Sequence, residues 1–259
     1  YGKLGGLELG YGSDLDLVFL HDSSGAEQQT DGMTVIENAR YFGRLAQRLI
    51  HYLTIQTSSG RLYEVDTRLR PSGASGMLVS SMEAFRRYQR EQAWVWEHQA
   101  LLRSRSVAGP AELCRAFEAE RLAILTACVD RSKLESEVKR MRERMRAELS
   151  ESKRGQIDLK QDSGGLADIE FLVDYWVLDR AADYPELVEY PDNIRQLEAL
   201  ERTGLVPAAR CRRLIEIYIR IRERLHELAL DGRGRVVDAA ELAAERAEVA
   251  EIWSAVFAD

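Results

Sequence analysis

Hydrophobic and polar positions in the first third of the chain follow two different periods. Residues 15–20 alternate and then become continuously apolar, which predicts a buried strand. Residues 34–37 match a capping box, and apolar side chains then recur at helical spacing as far as Leu53, which predicts a helix. Residues 61–70 alternate again and predict a second strand. The first third is therefore expected to run strand, helix, strand.

Every long segment after about residue 81 has a helical period. A highly charged helix at 133–154 is expected to present a solvated face, with a docking surface for a protein partner as the alternative. One apolar stripe runs along this charged helix, and a second lies between Leu214 and Leu228. We therefore expect an α+β fold, in which a small mixed-sheet core at 1–109 precedes an α-helical bundle at 110–259. The stripe on the charged helix consists of Leu134, Val138, Met141, Met145 and Leu149.

Charge and cysteine content narrow the class of protein. The chain has 259 residues and a net charge of −7, which does not suit a nucleic-acid-binding protein, because such binding needs Lys and Arg against phosphates. No apolar run approaches the length of about 18 residues that a membrane span needs. Cys114, Cys128 and Cys211 lack any ligand or disulfide spacing, which favours reduced thiols in a cytoplasmic protein. The chain begins at Tyr1 within a motif, so we expect a fragment of a longer protein.

The candidate chemistry lies in a glycine-rich stretch that leads into the first strand. Asp14 and Asp16 are two positions apart, so both carboxylates point to the same side of a strand. Two carboxylates this close repel each other unless a cation lies between them, and Mg²⁺ commonly shares its coordination shell with substrate phosphates. Five glycines upstream let backbone N–H groups approach a polyphosphate. A solvated surface strand is the alternative, and the adjoining apolar run argues against it.

The spacing of these residues resembles a known signature. Gly2 is followed further along the chain by Ser13-Asp14-Leu15-Asp16, at the start of the first predicted strand. This combination is similar to the motif of the DNA polymerase beta-like nucleotidyltransferase superfamily. Lys3 stands where that motif usually has serine. The resemblance implies that Gly2, Lys3, Gly12 and Ser13 contact the phosphates of a nucleotide.

The superfamily resemblance also implies a third carboxylate on a neighbouring strand. Asp66 and Glu64 share one face of the second predicted strand, and spacing alone does not choose between them. The resemblance favours Asp66, which would complete the metal site and accept a proton from the attacking hydroxyl. Arg68 and Arg70 on the same face are expected to contact phosphate oxygens, with a surface ion-pair ladder as the alternative.

Longer stretches resemble the bifunctional glutamine-synthetase adenylyltransferase/adenylyl-removing enzymes. These stretches are residues 2–6, 12–22, 63–73, 94–101 and 162–171. Enzymes of this family have two homologous nucleotidyltransferase halves, and the chain resembles the C-terminal, adenylyl-transferring half more closely. The resemblance implies transfer of AMP from ATP to a tyrosine of glutamine synthetase with two Mg²⁺ ions, in response to glutamine and the PII signal protein.

Three other functions remain open beside adenylyl transfer. The adenylyl-removing half performs phosphorolysis at a similar site, and a small-molecule nucleotidyltransferase belongs to the same superfamily. A non-catalytic module that senses glutamine or PII is the third, and the intact Asp14, Asp16 and Asp66 argue against it.

The family resemblance also places one strand of the core before Gly2, outside this chain.

Residues 162–165 form a predicted loop before a helix that begins near Leu166. Gly164 and Gly165 are expected either to contact a nucleotide or glutamine through free N–H groups, or to allow tight packing. Trp94 and Trp96 are expected in the core rather than on a substrate platform. Structural roles are expected for the four histidines, namely His21, His51, His98 and His226.

Overall fold

A computed structural model describes residues 1–24 and 28–258, which divide into two compact units, Tyr1–Ile124 and Leu125–Asp259. Helices dominate both units and the sheets are small, so the predicted α+β class is confirmed. The domain limits expected at 1–109 and 110–259 stay a prediction. The helices are α1 Gly2–Gly5, α2 Asn38–Thr54, α3 Met82–Glu91, α4 Val95–Leu102, α5 Ala111–Ala127, α6 Arg131–Leu149, α7 Leu166–Arg180, α8 Asn193–Arg202, α9 Ala208–Leu230 and α10 Ala243–Val256. The strands are β1 Leu15–Asp16, β2 Phe19–His21, β3 Gln56–Thr57, β4 Gly60–Arg61, β5 Val65–Asp66, β6 Val79–Ser81, β7 Gln156–Asp158 and β8 Val236–Asp238.

Short parallel pairs form the sheet structure of the first unit. The predicted strand at 15–20 is interrupted after Asp16, and its two parts pair with different partners. β1 pairs with β5 and β2 pairs with β6, both in parallel, while β3 and β4 form an antiparallel hairpin. Two parallel strands need a long crossover connection between them. Helix α2 lies in the connection that leads from β2 to β5 and β6. The predicted order of strand, helix and strand is therefore present, with shorter strands.

Local hydrogen bonds explain two differences from the predicted limits of the elements. The capping box at 34–37 does not form, because Thr30 and Ile36 pair through their backbones and α2 begins only at Asn38. The second strand ends at Asp66, whose carboxylate accepts a hydrogen bond from the Arg68 N–H at 2.7 Å. A side chain that bonds to the backbone two residues on favours a turn over a ladder.

Helix α7 is central to the second unit and packs against α6, α8, α9 and α10. Leu134 and Val138 of the predicted α6 stripe are fully buried, but Leu149 is exposed. Arg142 continues the buried face of α6 instead, and its Nε donates to Asp168 Oδ1 at 2.7 Å. The sequence pattern did not indicate this buried ion pair, nor the β7–β8 pair that joins residues about eighty positions apart.

One further expectation concerns a single side chain. Trp94 is 62% exposed at the start of α4, so its predicted place in the core is wrong. The Trp94 N–H donates to Glu97 Oε2 at 3.0 Å, and Trp94 is the residue directly before the first turn of α4. Among the described residues, no helix combines the length and the apolar character that crossing a lipid bilayer requires.

Candidate functional site

The strand pairing of the first unit brings three carboxylates together. Asp16 of β1 lies opposite Asp66 of β5, and Asp14 precedes β1 by one residue. The Leu15 N–H donates to the Glu64 carbonyl at 2.8 Å and the Leu17 N–H donates to the Asp66 carbonyl at 2.8 Å, which sets this register. One oxygen from each of the three aspartates lies within 4.8 Å of the others. These oxygens can ligate a shared divalent cation, since hard cations prefer such ligands.

Of the two glycines predicted to contact phosphates, Gly12 lies in a turn directly before Asp14, and Gly2 is the first residue of α1. Between Gly10 and Ser13 the chain closes a turn, in which the Ser13 N–H donates to the Gly10 carbonyl at 3.2 Å. The Ser13 Oγ also accepts from the Gly10 N–H at 3.1 Å. Gly12 has φ +72°, a left-handed conformation that favours glycine in the third position of such a turn. The turn fixes the direction in which the chain enters Asp14.

Gly2 lies directly against the cluster. A Cβ atom at Gly2 would lie 2.2 Å from Asp16 Oδ2, and the residue has φ +54°. Any side chain here would displace the carboxylate or strain the backbone. Lys3 follows Gly2 in α1, and its carbonyl accepts a hydrogen bond from the Glu8 N–H at 2.8 Å. The glycine is therefore required by the close approach of α1 to Asp16.

A buried ion pair that sequence reasoning missed anchors the glycine-rich segment. The carboxylate of Glu8 pairs with the guanidinium of Arg103 at the end of α4, and both side chains are almost fully buried. A Cβ at Gly5 would lie 2.2 Å from the Arg103 carbonyl oxygen, so α1 also touches this point. The partners are 95 positions apart, and no local pattern connects them.

Arg68 supplies a positive charge at the edge of the cluster. Its Nε donates to Asp66 Oδ2 at 2.8 Å, and the side chain is 80% exposed. The hydrogen bonds from Arg68 hold the pKa of the Asp66 carboxyl below its usual range. Asp66 is therefore ionised at neutral pH, and the exposure of the Arg68 side chain leaves room for it to turn toward solvent.

Arg70 and Glu64 have other contacts in the structure. The Arg70 guanidinium donates to the carbonyls of Thr67, Ala74 and Gly76, at 2.7, 3.1 and 3.2 Å, and so holds the loop that follows β5. The phosphate contact expected of Arg70 stays a prediction. Glu64 pairs with Arg61 at 3.1 Å and is not among the clustered carboxylates. The structure thus brings Asp66, and not Glu64, to Asp14 and Asp16.

The predicted loop at 162–165 lies in the second unit, directly before α7. The Gly164 N–H donates to Asp168 Oδ2 at 2.7 Å, and the Gly165 N–H donates to the Asp162 carbonyl at 2.9 Å. A Cβ at Gly164 would lie 2.0 Å from the Arg246 carbonyl oxygen. These contacts support the interpretation of a tight packing loop, and the ligand contact predicted for Gly164 and Gly165 stays a prediction.

Comparisons with known proteins identify the family of the chain. The family model described as glutamate-ammonia ligase adenylyltransferase matches residues 1–120, and the one described as GlnD PII-uridylyltransferase matches residues 130–254. Relatives named bifunctional glutamine synthetase adenylyltransferase/adenylyl-removing enzyme occur in Thioalkalivibrio sulfidiphilus and Nitrosococcus oceani. The first is 55% identical over 99% of this chain and 26% of its own length. The second is 50% identical over 100% of this chain and 27% of its own length.

A third relative with the same name, from Pseudomonas putida, is 49% identical over 98% of this chain and 27% of its own length. The chain thus spans about a quarter of the length of the curated relatives it matches. High identity along nearly the whole chain confirms the predicted resemblance. The chain belongs to the family of bifunctional glutamine synthetase adenylyltransferase/adenylyl-removing enzymes.

Proposed function

We propose that the first unit carries the catalytic site of an adenylyltransferase, which moves AMP from ATP to a tyrosine hydroxyl of glutamine synthetase. The observation that carries this proposal is the convergence of Asp14, Asp16 and Asp66, whose oxygens lie within 4.8 Å of one another. Names of the relatives support the reaction class, since each is described as a glutamine synthetase adenylyltransferase. Family membership also supports the site, because metal-assisted transfer of a nucleotidyl group needs side chains that hold the metal ions.

The residues present fit divalent cations such as Mg²⁺. Three carboxylates at this separation repel each other strongly, and a cation among them removes the repulsion. The absent side chain at Gly2 leaves Asp16 Oδ2 unobstructed on that side. Asp14, Asp16 and Asp66 would hold two ions, which when bound polarise the phosphates of ATP and lower the pKa of the acceptor hydroxyl.

The other residues of the site position and neutralise the nucleotide. Arg68 would leave Asp66 for a phosphate oxygen of ATP, and its exposure allows this movement. The backbone N–H groups of the turn at Gly12 and Ser13, with Gly2 and Lys3, would face the polyphosphate. Asp66, released from Arg68, would accept the proton of the tyrosine hydroxyl. The hydroxyl oxygen then bonds to the α-phosphorus while the bond to pyrophosphate breaks.

The second unit would serve regulation or nucleotide binding in the same enzyme. Its match to the PII-uridylyltransferase model indicates a helical module shared between two kinds of nucleotidyltransferase. Glutamine and the PII signal protein are the proposed effectors, as the family resemblance implies, and the enzyme is proposed to act in the cytoplasm. We assign the transferring rather than the removing half from the resemblance of the residues around Asp14 and Trp94.

The direct test is incubation of the chain with unmodified glutamine synthetase, labelled ATP and Mg²⁺. We expect label on a tyrosine of glutamine synthetase, at least about 100-fold less in Asp16→Asn, because the cluster loses a ligand. Glu64→Gln is the matched control: it removes a carboxylate from the same segment, outside the cluster, and should keep the rate within about threefold. Far-UV circular dichroism establishes that both variants are folded.

The possible results separate the candidate functions. A near-normal rate in Asp16→Asn contradicts the metal-site assignment. Failure of the wild-type chain to label glutamine synthetase, combined with phosphate-dependent release of AMP from the modified enzyme, assigns the removing reaction instead. Absence of both reactions and of Mg²⁺-dependent ATP binding indicates a sensing module.

A further inference from the structure

Helix α2 presents an exposed surface that mixes apolar and basic side chains. Tyr41, Leu45 and Leu49 are between 43% and 45% exposed, and Tyr52 is 71% exposed. Arg44 and Arg48 lie beside them, and both line one shallow depression together with Tyr41 and Leu45. We define the α2 outer face by these residues, namely Tyr41, Arg44, Leu45, Arg48, Leu49 and Tyr52.

The opposite side of α2 is the one used for folding. Ala46 is buried there, and Phe42 stacks on the buried His21 with ring centroids 4.8 Å apart. At about 100° per residue, Tyr41, Arg44, Arg48 and Tyr52 lie on the far side of the helix from Ala46. Leu45 lies on the flank between the two sides, and Leu49 lies at the edge of the outer face, next to the buried side. Folding of the first unit therefore does not explain why leucine and tyrosine occupy the outer face.

The charge of the outer face is opposite to that of the protein. The α2 sequence contains three arginines and no acidic residue, although the net charge of the chain is −7. Neither Arg44 nor Arg48 forms an ion pair with any residue that the structure describes. Tyrosine and arginine are the residues enriched at the energetic centres of protein interfaces. The composition thus matches a surface that binds an acidic protein region.

Adenylyl transfer to a folded protein needs such a surface. A tyrosine hydroxyl at a carboxylate cluster offers little contact area, whereas specific protein complexes bury about 800 Å² on each partner. Helix α2 packs against β5, the strand that carries Asp66, and against β6. The outer face therefore belongs to an element that is directly connected to the candidate catalytic site.

We propose that the α2 outer face docks the acceptor protein, glutamine synthetase, through an acidic region of that protein with protruding apolar side chains. This proposal rests on the proposed function and adds the surface that selects the acceptor. Arginine side chains would steer and orient the acidic region, and the leucines and tyrosines would supply the buried contact. ATP would bind independently of this face, since none of its residues belongs to the carboxylate cluster.

The test compares two double variants with equal change of charge. Arg44→Glu/Arg48→Glu reverses the outer face, and Arg87→Glu/Arg115→Glu reverses two exposed arginines on other helices of the first unit. We expect the first variant to raise the KM for glutamine synthetase at least about tenfold and to leave the KM for ATP within about twofold. The control variant should keep both constants within about twofold. Tyr41→Ala/Leu45→Ala should also raise the KM for glutamine synthetase.

A binding measurement keeps the docking proposal separate from the catalytic one. The Kd of the chain for glutamine synthetase is measured without ATP, so the comparison of variants remains valid if wild-type chain transfers no label. Equal Kd values for wild type and Arg44→Glu/Arg48→Glu would overturn docking at this face, as would an equal loss in the control. Sedimentation with equimolar phosphatidylserine and phosphatidylcholine vesicles, abolished by Arg44→Glu/Arg48→Glu while the Kd is unchanged, would assign the face to membrane binding and overturn the proposal.

Discussion

Replacement of Gly2 by alanine tests whether the close approach of α1 to Asp16 is essential for the carboxylate cluster. The Cβ introduced at Gly2 would lie 2.2 Å from Asp16 Oδ2, and the backbone there has φ +54°. Gly12→Ala is the matched control, because Gly12 has φ +72° with no atom within 4 Å of an added Cβ. The pair separates backbone strain, which both variants share, from the steric displacement of Asp16, which only Gly2→Ala causes.

The structure gives the size of each effect. A left-handed conformation costs a non-glycine residue about 1–2 kcal/mol, so Gly12→Ala should reduce activity by no more than about 30-fold. A Cβ atom is almost never within 3.0 Å of a non-bonded heavy atom, and most such contacts are longer than 3.4 Å. The Asp16 carboxylate would therefore have to move by roughly 1 Å in Gly2→Ala. A displacement of 1 Å at a catalytic centre can cost about 100-fold in rate. We expect Gly2→Ala to lower kcat/KM for adenylyl transfer by about that factor.

Three measurements decide the outcome of this comparison. Initial rates of label transfer give kcat/KM, calorimetric titration gives the affinity for Mg²⁺, and thermal melting establishes how far each variant is destabilised. Mg²⁺ affinity should fall in Gly2→Ala and remain close to wild type in Gly12→Ala. Equal losses of rate and of Mg²⁺ affinity in the two variants would refute the steric argument, because they would assign the whole effect to backbone strain.

Two predictions concern stability. Gly164→Ala should lower the free energy of unfolding by about 3 kcal/mol, because its Cβ would lie 2.0 Å from the Arg246 carbonyl at φ +74°. Gly204→Ala, at φ +69° in open space, should lose only about 1–2 kcal/mol, and urea unfolding that gives equal losses would contradict the packing argument. Burial lowers the pKa of His98, so the unfolded chain takes up the proton first, and stability falls as the pH drops from about 6.5 through the folded pKa. His98→Gln should flatten the dependence of melting temperature on pH between about pH 7 and about pH 5, and an unchanged slope would contradict it.

Local patterns were sufficient for most helices. The loop before Leu166 and the apolar stripe of α9 were predicted where the structure has them, because helical period and turn residues are properties of neighbouring positions. The pairing of β7 with β8 was not predictable in this way. The burial of Arg142 was not predicted either, because it depends on the ion pair with Asp168 across the interface between α6 and α7.

For the candidate site, the sequence by itself determined that Asp14 and Asp16 share one side of a strand, because side chains alternate with a period of two. It also determined the glycines that allow α1 and the turn at Gly12 to adopt left-handed backbone conformations. The tertiary structure decided which acidic residue of the second predicted strand, Glu64 or Asp66, lies beside Asp14 and Asp16. Asp66 lies in β5 opposite Asp16, whereas Glu64 precedes β5 and its exposed carboxylate pairs with Arg61. Register depends on hydrogen bonds between segments about fifty residues apart, and no local period contains that information.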